Sequence, residues 1–117
     1  MDDHTLLLKA AKAAQLRLIR WDEDGQAFRV LNDAERTFSL WNPLTDDGDA
    51  LRLSVALEMD IGQMLTEACV TVTAVGPNDD VYAHDVPWGT DPTAATRRAI
   101  VLVAADMGID GKGFAHG

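Results

Sequence analysis

Residues Ala99-Ile100-Val101-Leu102-Val103-Ala104-Ala105 are apolar without interruption. The block follows Asp91-Pro92, a residue whose side chain can cap backbone N–H groups and an imino acid suited to the first helical position. This predicts a helix from Thr90 to Met107, with Gly108 placed to end it. A helix that is apolar nearly all round has to be enclosed on more than one side. The block is far too short to span a bilayer. The rest of the chain must therefore wrap around it. At 117 residues and 47% hydrophobic content, there is enough apolar material for one domain with a real core.

The wrapping segments are short and mostly alternating. Asp2 to Gln15 reads as a helix, acidic at its start and rich in Leu and Ala. Leu16 to Trp21 and Gln26 to Leu31 alternate around Asp22-Glu23-Asp24-Gly25, which predicts a hairpin. Strict alternation would point Leu16 and Leu18 one way, and Arg17, Ile19 and Trp21 the other. Asn32 to Arg36 is a polar turn, and Thr37 to Trp41 a third short strand. Asp46 to Asp60 reads as the second helix, with Leu51, Val55 and Met59 on one face beside Ala56. Met64 to Val75 reads as one long strand. The turn Gly76 to Asp80 then returns the chain along Val81 to Val86.

The expected fold is α+β: an antiparallel sheet of four or five strands packed with three helices, in the order α-β-β-(β)-α-β-β-α. The domain would cover residues 1–110, with a flexible tail at 111–117. A faint internal echo aligns Asp49–Ile61 with Arg97–Ile109, matching Val55, Ala56, Met59 and Ile61 to Val103, Ala104, Met107 and Ile109.

The net charge of −9 opposes contact with a phosphate backbone, and only Arg97 and Arg98 are adjacent basic residues. Solubility is the ordinary reason for such acidity. Cys69 is the single cysteine, so no intrachain disulfide forms and a reducing, cytoplasmic setting fits. The N-terminus lacks a basic n-region, so no secretory signal is expected.

Candidate chemistry is sparse. Asp46, Asp47 and Asp49 lack the spacing of a calcium loop, and they suit the positive end of a helix dipole. His4, His84 and His116 form no zinc-ligand pair. No nucleophile elbow and no phosphate-binding glycine loop is present. The residues thus point to no catalytic group, no metal and no cofactor. If an enzyme or small-ligand site exists, His84, Asp85 and Trp88 are the first place to seek it. Trp21, Trp41 and Trp88 stand at strand ends or just before helices, where an indole plugs a core edge with its N–H at a polar rim. Tryptophan and arginine are also enriched at interfaces, which makes Trp21, Trp41, Trp88 and Arg97 the candidate interaction surface.

Two blocks carry a family resemblance. Trp41-Asn42-Pro43-Leu44-Thr45-Asp46, followed by Ala50 and an apolar helix, resembles the central signature of the phage ABA-sandwich domain proteins, similar to the NinX-like group. Ala94-Ala95-Thr96-Arg97-Arg98-Ala99-Ile100-Val101 resembles their closing helix, although this chain has Arg97 where the family often has Cys. The resemblance implies helices on both sides of a sheet and a phage or prophage setting in a bacterial cytoplasm. It supplies no activity. The expectation is a small acidic accessory protein, noncatalytic, that binds another protein, contacts neither nucleic acid nor membrane directly, and is compatible with a homodimer on an open sheet face. A narrower version is mimicry of DNA charge, directed at a basic nucleic-acid-binding protein.

Overall fold

The computed structural model describes residues 2–32 and 36–109. The chain runs α1 (Asp3–Ala13), β1 (Leu18–Asp22), β2 (Ala27–Asn32), β3 (Thr37–Trp41), α2 (Asp47–Ala56), β4 (Asp60–Met64), β5 (Cys69–Val75), β6 (Val81–Pro87) and α3 (Pro92–Ile109). The class is α+β with three helices, as the alternation and caps predict. The strands do not share one sheet, however. They form two three-stranded antiparallel meanders, β1-β2-β3 and β4-β5-β6. The expected tail at 111–117 and the centre of the polar turn after Asn32 lie outside the described residues. No helix among the described residues is long and apolar enough to cross a membrane.

The extra strand comes from a boundary that composition hides. The second helix ends at Ala56, because Glu58 takes a left-handed conformation (φ 53°) two residues later. Asp60 to Met64 is thereby released as β4 and pairs with β5, from Asp60 opposite Thr73 to Met64 opposite Cys69. The turn between them reverses at Ala68 (φ 51°), a residue type with no turn signature. Met64 to Val75 is therefore a strand end, a turn and a second strand.

Each helix start follows its capping residue. Asp2 accepts from the Thr5 N–H at 2.8 Å, Asp46 from the Asp49 N–H at 2.8 Å, and Asp91 from the Ala94 N–H at 3.0 Å. The end of α3 differs from expectation. Gly108 lies inside the helix, where it meets the backbone of Lys9. Its missing side chain lets α1 and α3 approach closely, and this is the most extensive contact between any two elements.

The core is layered around those two helices. α3 covers β5 and β6, burying Val70, Val72 and Ala74. α1 reaches the N-terminal sheet, where the rings of His4, Trp21 and Phe28 lie 4.9–5.2 Å apart. Trp21 faces this core together with Leu18, contrary to strict alternation. The register slips between Leu18 and Arg20, so Leu18 opposes Val30 and Trp21 opposes Phe28. The bulge at Ile19 moves the indole to the inner face.

An α-β-β-β unit thus occurs twice, and α3 closes the second. Left-handed residues recur in the same order: Gln15, Gln26 and Arg36 in the first unit, and Glu58, Ala68 and Asp79 in the second. The echo seen in sequence does not follow this repetition throughout: Val55 and Ala56 lie in α2, but Met59 follows it and Ile61 is in β4, whereas Val103, Ala104, Met107 and Ile109 all lie in α3.

Candidate functional site

Asn42 organises the entry to α2. Its amide nitrogen donates to the Gln26 carbonyl at 2.7 Å, and its side-chain oxygen accepts from the Leu44 N–H at 3.0 Å. Its backbone N–H donates to Asp49 Oδ2 at 2.9 Å. That bond draws Asp49 inward and sets the rotation of α2. Ala50, Leu53 and Ser54 are buried as a result, whereas Leu51 is 61% exposed and Val55 68% exposed. The expected inward face of Leu51 and Val55, with Ala56 beside it, is thus turned to solvent, and Met59 is only half-buried. Arg52 closes the arrangement by donating to Asp49 Oδ1 at 2.7 Å.

The four residues proposed as an interaction surface sit at the core edge. Trp41 is buried; Trp21, Trp88 and Arg97 are half-buried. Arg97 lines a groove of about 300 Å³ between α2, β4 and α3, with Ala50, Leu51, Ile61 and Ile100 as its apolar walls, and Trp88 adjoins it through Gln63. Arg97 donates to the Leu44 carbonyl at 2.8 Å and to Asp47 at 2.6 Å. Trp88 donates its indole N–H to Gln63 at 2.8 Å, and the Gln63 amide donates to Thr96 at 2.9 Å. Trp21 lies apart, under α1.

His84 and Asp85 point to opposite faces of β6. His84 Nε2 lies 2.7 Å from Asp106 on α3, and Asp85 accepts from the Thr71 hydroxyl at 2.7 Å. The first contact ties strand to helix, and the second lies on the open face. Neither residue, nor Trp88, lines the groove or either of two further cavities. Among the described residues, no three His, Cys, Asp or Glu side chains converge as a metal site would require.

β3 holds residues that sequence reasoning missed. Trp41 opposes Phe28 on the inner face, so Thr37 and Ser39 lie on the same side of β3, although both are exposed. Phe38 and Leu40 therefore face outward, 60% and 49% exposed. They pair across the sheet with Leu31 and Arg29. Arg20 opposes Arg29 from β1, and Ile19 in the bulge is 50% exposed. Arg29 holds Asp22 with Nε and Nη2 both at 3.0 Å, and Asp22 also accepts from the Gly25 N–H at 3.0 Å. The Gly25 N–H, then the Arg29 guanidinium, keep the Asp22 carboxyl below the usual carboxylate range. On a chain of net charge −9, this one face gathers Arg20, Arg29, Phe38 and Leu40. The order Thr-Phe-Ser-Leu-Trp shows that Phe38 and Leu40 lie on the face opposite Trp41, but not that the Trp41 side is the inner one.

A third feature is a partly enclosed cavity of about 460 Å³ between the N-terminal sheet, α2 and the chain leaving α1. Val30, Trp41 and Leu53 give it an apolar wall, and Asn32, Ser39, Asp49 and Arg52 a polar one.

No protein-family model, curated protein or solved structure matches this chain. The residues and their geometry are therefore the only ground for a functional reading.

Proposed function

We propose that this chain is a small noncatalytic accessory protein that acts by binding another protein, and that its contact surface is the outward face of the N-terminal sheet. The observation that carries the reading is the exposure of Phe38 and Leu40 on β3, an edge strand, beside Arg29 and Arg20. Exposed apolar side chains on a strand edge are a hazard that folds ordinarily avoid, and aromatic residues with arginine are the common anchors of interfaces. Arg29 is already neutralised by Asp22 and the whole chain is acidic, which favours a protein over a polyanion. Six of the 19 acidic residues have local roles in support of this reading: Asp2, Asp46 and Asp91 cap, while Asp22, Asp47 and Asp49 hold arginines.

The phage or prophage setting rests on the resemblance of residues 41–46 and 94–101 to the ABA-sandwich domain proteins. In support, the two blocks adjoin, because Arg97 of the second bonds the Leu44 carbonyl of the first. Against it, the described residues form two separate three-stranded sheets, whereas the family name implies helices on both sides of one sheet.

The test is affinity capture from an infected or lysogenic bacterial extract, using the native chain and a Phe38→Lys/Leu40→Lys variant, with mass spectrometry of the retained proteins. A partner held by the native chain and lost by the folded variant supports the reading. Equal recovery by both rejects this surface. Loss of the partner on nuclease treatment would identify nucleic acid as the real ligand, and sedimentation reports whether the partner is a second copy.

A further inference from the structure

Two neighbouring elements depart from the expected pattern. On β3, Thr37 and Ser39 share the side of buried Trp41 but stay exposed, while Phe38 and Leu40 face outward. On α2, Asp49 and Ser54 are buried while Leu51 and Val55 are exposed. The 460 Å³ cavity lies between these two elements. The corresponding place in the second α-β-β-β unit is filled, since Val72 and Ala74 are buried beneath α3. Asn32 takes the place that buried Ala74 holds in the second unit, and Ser39 the place of His84, which reaches Asp106 on α3. Places where local rules fail together are expected to be functional or strained sites.

We propose that this cavity binds a small amphipathic carboxylate with an aromatic or branched aliphatic body. Its volume falls within the range of small-molecule sites, and its walls have their usual character, mostly apolar with a few convergent polar groups. Trp41, Val30 and Leu53 receive the apolar body. The Ser39 hydroxyl accepts from the Asn32 amide at 3.3 Å on one side, and Arg52 also lines the cavity. The Arg52 side chain is 73% exposed, yet it is anchored to Asp49, which is itself held by the Asn42 N–H. A guanidinium has five N–H donors, and the Asp49 bond uses one. Asp49 also sets the charge of the ligand: beside a carboxylate already present, a monoanion is accommodated and a dianion repelled.

The test is a titration of the isotope-labelled full chain with 3-phenylpropionate, followed by NMR shift changes, with 3-phenylpropan-1-ol as the uncharged counterpart. The expected result is saturable binding at millimolar probe. The shifts should centre on Val30, Ser39, Leu53 and the Trp41 indole, with the acid preferred over the alcohol by about tenfold, the scale of one charge-assisted contact. Ala56→Trp, an exposed position at the cavity wall, should abolish binding of both probes without loss of helix content. Arg52→Gln should retain the alcohol and erase the preference for the acid. The proposal is overturned by the absence of saturable shifts, by shifts centred on Ile61 and Ile100 or on Phe38, or by an acid preference that survives in Arg52→Gln.

Discussion

Gly108 lies so close to Lys9 that a Cβ built on it would overlap the Lys9 carbonyl oxygen. The obstacle is backbone, so no side chain can move aside. Ala10, Ala11 and Ala13 on α1, and Ala104 and Ala105 on α3, are all buried, so both helices present small residues to the core. Gly108→Ala should therefore lower stability by about 2 kcal/mol or more, although alanine is intrinsically better in a helix by about 1 kcal/mol. Urea denaturation measures this directly. A gain in stability would show that the helices do not approach as described.

Arg97 joins the loop before α2 to α3 through a backbone carbonyl and a carboxylate. Its side chain is 18% exposed, whereas that of Asp47 is 71% exposed. Most of its worth should then lie in the bond to the Leu44 carbonyl. Arg97→Met is expected to cost about 1–2 kcal/mol, and Asp47→Asn no more than about 0.5 kcal/mol. A double-mutant cycle in thermal or chemical unfolding would separate the two. A loss on Asp47→Asn as large as that on Arg97→Met would reverse the assignment.

What the sequence disclosed was mainly local. The cap Asp91, the acidic starts of the first two helices, the Asp24-Gly25 hairpin and the buried character of Ala99 to Ala105 depend on neighbours within a few residues, and all were readable. The division into two sheets was not, because it turns on Glu58 and Ala68 adopting left-handed conformations that their side chains do not announce. The rotation of α2 depends on a bond from Asp49 back to Asn42, seven residues away and polar, which competes with the apolar spacing of Leu51 and Val55. The outward face of β3 was hidden because alternation gives two faces without saying which is inner. Only the pairing of Trp41 with Phe28 decides that. Arg97 stood out in the sequence as a candidate surface residue, but its bond to Leu44 spans 53 positions and leaves no trace in spacing.

Stability should fall on acidification through Asp22 and Asp2. A carboxyl whose folded-state pKa lies below its unfolded value contributes fully above the unfolded value, about 3.9 for Asp, and loses that contribution as pH falls through the folded one. Asp22 is lowered by the Gly25 N–H and by Arg29, and Asp2 by its hydrogen bonding to Thr5. The urea midpoint should therefore drop below about pH 4. Asp22→Asn should be less stable than the native chain at neutral pH and should lose less on acidification. Parallel pH profiles for the two proteins would remove Asp22 from the account.

Leu51 and Val55 give the sharpest test of how α2 is set. Helical spacing assigns both to the core, where truncating or charging a large aliphatic residue costs about 2–5 kcal/mol. The structure leaves them 61% and 68% exposed, with Leu53 buried between them. Leu51→Lys and Val55→Lys should each change stability by no more than about 0.5 kcal/mol, whereas Leu53→Ala should cost about 2–4 kcal/mol. Asp49→Ala should be costly as well, by about 1–3 kcal/mol, because it leaves the buried Asn42 N–H without an acceptor. The pattern distinguishes the two rotations of one helix: large losses at 51 and 55 with a small one at 53 would mean that the apolar spacing governs, and the reverse that the Asn42–Asp49 bond does.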